Sequence, residues 1–245
     1  MPQTPQRKAK LSEPISVVAH QLKSPISVIK IYLEVLLSES FGAINEKQRE
    51  YLEDALDNVY RAVRTVTDLL DVSKIEENRY ELKPKVIDLV EISKEVVGDL
   101  SPLTQASNCE IIFHEPEAPF FVNGDPMKIR QVIENLVTNA LKYKFPGRGT
   151  IEIEFHKRED EVLFFCRDNG VGIPEEDFGR VFTKFYRSED SVDMDPSGTG
   201  LGLYINKAII ELSGGKIWFE KNTGRGMTFY FTLPLWKHGE HEQKK

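Results

Sequence analysis

Asn135 and Asn139 stand four residues apart, so on a helix their carboxamides share one face. Such oxygens suit Mg2+, a hard ion that keeps several waters and is shared with phosphates. Further along, Asp168-Asn169-Gly170-Val171-Gly172 follows the apolar run Val162–Cys166. A carboxylate at a strand end can accept from the exocyclic amine of adenine. Next come Phe182-Thr183-Lys184-Phe185-Tyr186-Arg187 and then Gly198-Thr199-Gly200-Leu201-Gly202-Leu203, which opens a helix. Glycines admit positive φ and close backbone approach. A helix starting just after them offers free N–H groups to phosphate. Lys142 and Arg187 can neutralise phosphate charge. One glycine-rich turn alone is usually only a turn, and the spacing is not that of the dinucleotide or P-loop fingerprints. The ordered set of four segments is what points to a nucleotide.

The other reactive candidate is His20, in Ala19-His20-Gln21-Leu22-Lys23-Ser24-Pro25. A neutral imidazole nitrogen is a competent nucleophile near pH 7, although a lone helical histidine is ordinarily a solvated side chain. Its surroundings carry a pattern. Ile15, Ala19, Leu22, Ile26, Ile29, Leu33 and Leu36 follow a 4-3-4-3-4-3 spacing. Leu52, Leu56, Val59, Val63, Val66, Leu70 and Ser73 repeat it, with only the last position polar. This is the heptad seam of supercoiled helices, and Phe41–Asn45 reads as the hairpin loop between them. His20 and Ser24 then lie together off the seam, one turn apart. Val18, Tyr32, Ala55, Ala62 and Leu69 widen the stripe beyond what one hairpin can bury against itself. Two hairpins in a four-helix bundle can bury it, so a homodimer is expected; packing of the hairpin on another domain of the chain is the alternative.

Past a polar linker, Glu76–Pro84, the pattern changes. Val86–Leu89, Ile111–His114 and Phe120–Val122 read as short strands, and Val90–Leu100 as a helix. Asp125 caps a helix running to Tyr143, with Pro126 at its first position. Ile151–His156 alternates like a half-buried strand, and Val162–Cys166 is apolar throughout. Leu201–Leu212 is a helix stopped by Gly214-Gly215. Lys216–Glu220 and Met227–Leu233 form a hairpin across Asn222–Gly226. The expected fold is α+β: a helical hairpin at 1–80, then an α/β sandwich with a mixed, mainly antiparallel sheet at 81–237, then a polar tail at 238–245.

The chain of 245 residues is 40% hydrophobic and 29% charged, as folded soluble proteins are. A formal charge of −7 argues against a nucleic-acid partner. No apolar run is long enough to span a bilayer, and the polar, basic start is no secretory signal. Cys109 and Cys166, isolated from each other, read as buried free thiols. A cytoplasmic location is expected, either for the chain itself or as the cytoplasmic part of a larger or membrane-tethered sensor.

The four glycine- and amide-bearing segments, over about Lys85–Leu235, resemble the ATP-binding domain of histidine kinases, which belongs to a superfamily with gyrase, Hsp90 and MutL. The segment around His20 resembles the phosphoacceptor box of the same family. The resemblance implies that Asn139, with Asn135, ligates Mg2+, that Asp168 contacts adenine, and that Lys142, Tyr143, Gly170, Gly172 and Ile173 line the pocket. It makes about Glu175–Ser197 a mobile lid, whose run Ser188–Ser197 is polar, acidic and short of packing residues, and puts Phe182 among the nucleotide-binding residues. Gly198, Thr199, Gly200, Leu201 and Gly202 become its hinge and phosphate grip, and Arg187 assists γ-phosphoryl transfer. His20 would take that group from ATP, leaving ADP, and pass it to an aspartate of a separate response regulator docked near it. Gln21 departs from the usual Asp or Glu after the histidine; it can orient the ring but cannot take up a proton. Ser24 replaces the usual Thr or Asn and keeps a hydroxyl that could orient water. Pro25 leaves the carbonyl of Gln21 without its helical partner. Lys144 stands where a small hydroxyl residue is common. The alternatives are a response-regulator phosphatase using Ser24 and Gln21, and a nucleotide-responsive dimer scaffold with weak kinase activity.

Overall fold

A computed structural model describes residues 9–237, with side chains from Val17 onward except that of His20. The expected polar tail, 238–245, and the side chain of Ile15 lie outside the described residues. The chain divides into two compact units, Met1–Tyr80 and Glu81–Lys245. Among the described residues, no helix is long and apolar enough to cross a membrane.

The first unit is a hairpin of α1 (Ala9–Leu37) and α2 (Glu46–Glu76). Asn45 starts α2 with a reciprocal cap: its side chain accepts from Gln48 N at 2.9 Å, and the Gln48 side chain accepts from Asn45 N at 2.9 Å. This pairing satisfies two of the helix's orphan donors. Tyr60 donates to Glu34 across the hairpin at 2.8 Å, and Arg49 pairs with Glu39 beside the turn. α1 continues through Pro25.

The heptad list divides between two faces. Ala19 is buried, and Ile26 and Leu33 are half-buried. Val18, Leu22, Ile29, Tyr32 and Leu36 form a parallel stripe that stays 44–66% exposed. One hairpin therefore leaves this stripe of its apolar surface uncovered.

The second unit begins with β1 (Lys85–Asp88), which pairs antiparallel with β3 (Phe121–Gly124). The main sheet contains β2 (Cys109–Phe113), β4 (Gly149–Arg158), β5 (Glu161–Asp168), β6 (Lys216–Lys221) and β7 (Met227–Pro234), in the order β2-β4-β5-β7-β6. Only β2 and β4 are parallel, so the sheet is mixed and mainly antiparallel as expected. Three helices, α3 (Leu89–Ala106), α4 (Pro126–Lys142) and α6 (Gly202–Leu212), pack on it, and a short α5 (Glu189–Met194) lies in the connection between β5 and α6.

Alternation along β4 sends Ile151, Ile153 and Phe155 into the core, leaving Glu152, Glu154 and His156 outward. There His114 and His156 flank Glu154 at 3.6 and 3.2 Å, and Arg167 pairs with Glu152 at 3.1 Å. The core stacks Phe164 on Phe231 at 4.5 Å beneath Ile129, Ile133 and Leu136 of α4 and Ile205 and Ile209 of α6. Each such side chain contributes roughly 1.5–3 kcal/mol by burial. Both cysteines are free and buried, which raises their thiol pKa values.

α3 is longer than the expected Val90–Leu100, running through Pro102 to Ala106. The bond that Pro102 cannot make would fall on the carbonyl of Gly98, which is exposed, so water can replace it. α4 starts at Pro126 with Asp125 as its cap: Oδ1 accepts from Met127 N at 3.1 Å and Lys128 N at 3.3 Å. The other oxygen, Oδ2, accepts from Lys83 N at 2.9 Å, tying the entering chain to the same carboxylate. Asp125→Ala removes a helix cap and a second charge-assisted hydrogen bond together, so we expect a loss of about 2–3 kcal/mol. Urea unfolding followed by the fluorescence of Trp218 and Trp236 measures it. A change under about 0.5 kcal/mol, the scale of an ordinary surface substitution, would refute this role for Asp125.

Candidate functional site

The site is built around the end of β5. Asp168 Oδ1 accepts from Gly170 N at 2.8 Å and Met227 N at 3.2 Å, leaving Oδ2 as the acceptor not engaged by these bonds. Burial raises the carboxyl pKa, and the two backbone N–H groups partly offset that rise. Behind Asp168 its own backbone carbonyl accepts from the Asn222 side chain at 2.7 Å, and Thr228 donates to Asn222 Oδ1 at 2.6 Å. Gly170 lies so close to the carbonyl of Tyr143 that a Cβ would overlap it, and Val171 N donates to that carbonyl at 2.9 Å. The strand end is thus locked to the C-terminal end of α4 on one side and to the β6–β7 hairpin on the other.

α4 brings Asn135, Asn139 and Lys142 to successive turns of one face, with Tyr143 as its C-cap. Asn135 and Asn139 are half-buried. Asn135 lies against the start of α6: a Cβ on Gly202 would sit 2.6 Å from its Oδ1. Its Nδ2 is buried with no hydrogen-bond partner. α6 begins at Gly202 with Leu201 before it and no side chain capping its first N–H groups. Thr199 Oγ1 accepts from Leu201 N at 3.3 Å, holding the turn that delivers the helix. Leu201 is 1% exposed, so it wedges the glycine run onto the core.

Tyr143, Asp168 and Gly170 come together at the strand end, with Gly172 beside Met227, while Gly202 meets Asn135 and Gly198 meets Arg187. Phe182 packs elsewhere: it meets Phe219 at 5.8 Å, and Phe178 meets the same ring at 5.1 Å. With Val181 buried beside them, the first half of the Glu175–Ser197 segment is anchored on β6, ahead of the polar run Ser188–Ser197. The anchoring residues are aromatic and meet a strand far along the chain, a contact that local polarity does not reveal.

The second half is exposed but held by polar contacts. Ser188 caps α5, its Oγ accepting from Ser191 N at 3.3 Å. Arg187 donates to the backbone carbonyls of Gly198, at 3.0 Å, and of Ser191 and Asp195. Its guanidinium is therefore engaged by three backbone carbonyls. The Tyr143 hydroxyl lies beside Arg187 and Ser191, and burial raises its pKa. Lys142 Nζ pairs with Asp195 Oδ2 at 3.0 Å. Burial pushes the Asp195 carboxyl up, but the Ser197 hydroxyl and Lys142 overcome it, so it lies below its ordinary value. Phe185, exposed, has φ +62°, a strained region for an aromatic residue, where its N–H donates to the carbonyl of Gly200 at 2.9 Å.

Lys144 has a local role: its Nζ donates to the Gly147 carbonyl at 3.2 Å and closes the loop after α4. Asn222, Thr228 and Asp195 were not singled out by their sequence pattern. Neither was Asn206, buried on α6, whose amide donates to the Val132 carbonyl of α4 at 3.4 Å. In the other unit, Gln21, Ser24 and Pro25 are exposed on α1; the side chain of His20 lies outside the described residues.

Comparison with known proteins covers both units. Residues 124–237 match the family described as histidine kinase-, DNA gyrase B-, and HSP90-like ATPase, and residues 10–78 match the His Kinase A (phospho-acceptor) domain. Sensor histidine kinase WalK of Bacillus subtilis (strain 168) is 33% identical over 231 residues, covering 93% of this chain and 37% of the relative. The circadian input-output histidine kinase CikA of Synechococcus elongatus is 29% identical over 223 residues, covering 90% of this chain and 29% of the relative. The chain thus spans about a third of the length of these two proteins. The solved catalytic domain of the histidine kinase ThkA superposes with TM-score 0.55 at 30% identity, covering 62% of this chain and 98% of that one. Full-length ShkA, solved in complex with AMPPNP, shares the fold at TM-score 0.73 and 21% identity, over 91% of this chain and 46% of that one. With a phosphoacceptor-type hairpin followed by an ATPase domain of the gyrase B and HSP90 type, the chain belongs to the sensor histidine kinase family.

Proposed function

We propose that this chain is the catalytic core of a sensor histidine kinase that binds ATP in its second unit, transfers the γ-phosphoryl group to His20, and donates it onward to an aspartate of a separate response regulator. The observation that carries the reading is the joint presence of two ligand-ready groups: the second carboxylate oxygen of buried Asp168 and the uncapped start of α6. They fit a purine at one end and phosphates at the other. In this reading Asp168 accepts from the adenine amine, and the first N–H groups of α6 receive phosphate oxygens. Lys142 neutralises phosphate charge, and Arg187 braces the lid and assists transfer. Tyr143, Gly170, Gly172 and Ile173 form the base end. Asn139, with Asn135 one turn before it, would hold Mg2+. The ion would supply charge neutralisation at the phosphates.

At the other centre a ring nitrogen of His20 forms a bond to phosphorus as the bond to the ADP oxygen breaks. Phosphoryl transfer asks a protein mainly for positioning and charge stabilisation. Gln21 orients the ring, and the proton of the histidine goes to solvent because an amide cannot accept it. The exposed apolar stripe of α1 supports a homodimer, since a four-helix bundle would bury what one hairpin leaves open. The response regulator would dock near His20. The exposed pair Gln21 and Ser24 also supports regulator dephosphorylation by an oriented water.

His20→Ala is expected to abolish autophosphorylation while ATP affinity stays within about threefold, the scale of a change remote from a binding site. Incubation with γ-labelled ATP and a test for acid-labile label measures the first, and calorimetry the second; retained acid-labile label would remove His20 from the reaction. Without such label in the parent protein, release of phosphate from a phosphorylated regulator would instead favour the phosphatase reading.

Asp168→Asn replaces an acceptor with an amide that repels the adenine amine in one of its orientations, and leaves an imperfectly paired buried group. We expect ATP affinity to fall at least tenfold, or about 1.4 kcal/mol. Because burial raises the Asp168 carboxyl, parent affinity should fall on acidification from above the ordinary aspartate range, as the charged acceptor is lost. Calorimetric titrations from pH 5 to 8 test both points. Unchanged affinity in the variant would place the adenine contact elsewhere.

Gln21→Glu offers a base beside His20. General base assistance is worth about 10²–10⁴-fold, but orientation is already supplied and solvent takes the proton, so a gain of roughly tenfold in autophosphorylation is expected. Rates at saturating ATP from pH 6 to 9 decide it. An equal or slower variant at every pH would mean that proton removal does not limit the reaction.

A further inference from the structure

The cation given above to nucleotide phosphates already has an anion on it. Lys142, on α4, pairs with Asp195 Oδ2 at 3.0 Å, and the Asp195 side chain is only 13% exposed against 42% for the lysine. The carboxylate is not a passing surface group. Its Oδ1 accepts from the Ser197 hydroxyl at 2.6 Å and from Ser197 N at 3.2 Å. Its backbone carbonyl accepts from Arg187, and its N–H donates to the Ser191 carbonyl at 3.2 Å. Asp195 is therefore fixed at the C-terminal end of α5, with one oxygen built into the lid and the other aimed at Lys142.

We propose that Asp195 is an affinity-determining residue: its carboxylate occupies Lys142 in place of a nucleotide phosphate, and a bound nucleotide must displace it. The inference rests on the reading that this site binds ATP. A carboxylate oxygen and a phosphate oxygen compete for the same ammonium group. A triphosphate carries more charge and has the α6 N–H groups as further donors, so it prevails, with its affinity reduced by the ion pair it breaks. Once Lys142 is taken, Asp195 loses its partner on α4, and α5 is held by the remaining contacts, among them those of Arg187. Phosphate arrival is thereby coupled to release of the lid, and the coupling depends on the phosphate and not on the base.

The test compares adenosine, ADP and ATP, with and without Mg2+, by calorimetry on the full chain and on Asp195→Asn. Asparagine retains the Oδ1 acceptor for Ser197 and the backbone carbonyl for Arg187, so it removes the charge and little else. For an ion pair of this exposure the expected result is about fivefold tighter ADP and ATP, with adenosine unchanged. In a Lys142→Met background the same substitution should have no further effect, because the two residues act as one pair. Hydrogen exchange over 189–198 in the nucleotide-free protein should be faster in Asp195→Asn. Weaker ATP binding in the variant would overturn the proposal, making Asp195 a ligand of the nucleotide or its cation. An equal change for adenosine, or an effect that survives in Lys142→Met, would reduce it to a structural residue and overturn it as well. If the parent chain binds adenosine but gains nothing from phosphates, the competition fails while the purine site stands. If it binds none of the three, the ATP reading fails first.

Discussion

Close approach of backbone to backbone around Asp168 is the constraint from which the second unit takes its form. The carbonyl of Tyr143 receives the N–H of Val171, and the carbonyl of Asp168 receives the amide of Asn222, with Gly170 and Gly226 at the points of nearest approach. These contacts join the end of a helix, the end of the central strand and the turn of a hairpin. A carboxylate held this way keeps one oxygen on backbone N–H groups and cannot swing to satisfy the other. The residue is therefore preorganised by elements whose own stability comes from the Phe164–Phe231 core and from α4 and α6 packed over it.

Much of this arrangement is legible in the amino-acid order because it is local. Asp125 and Pro126 announce the start of α4, and the cap is realised with both expected donors. Alternation in Ile151–His156 and the continuous run Val162–Cys166 distinguish a half-covered strand from a buried one, and both strands appear with a few residues added at their ends. Pro102 misleads for a physical reason. A proline ends a helix when its missing bond would leave a buried carbonyl, and here the carbonyl belongs to exposed Gly98.

What stays hidden depends on partners distant in sequence. Ala19 and Leu22 belong to one heptad list, and nothing in the spacing tells which of them faces α2. Phe178 and Phe182 carry no sign of their partner until Phe219 is placed beside them. Asn222 looks like ordinary turn chemistry until its amide reaches back to β5. Asp195 is one acidic residue among several in Glu189–Asp195, and only the fold selects it for Lys142. Nucleotide chemistry was readable because it requires particular residue types. The restraints on that chemistry were not, because any carboxylate or aromatic ring in the right place would serve.

β5 and β7 are neighbours at the centre of the sheet, yet the chain between them runs through the lid, α6 and β6. Closing that connection has a cost that grows only with the logarithm of its length, about 0.6 kcal/mol per doubling. The anchors Phe178 and Phe182 fix one end of the variable part, and the Leu201 wedge fixes the other, so lengthening the stretch between Ser188 and Ser197 would perturb neither the strand register nor the core. The stretch between Ser188 and Ser197 is thus the one whose length the fold constrains least.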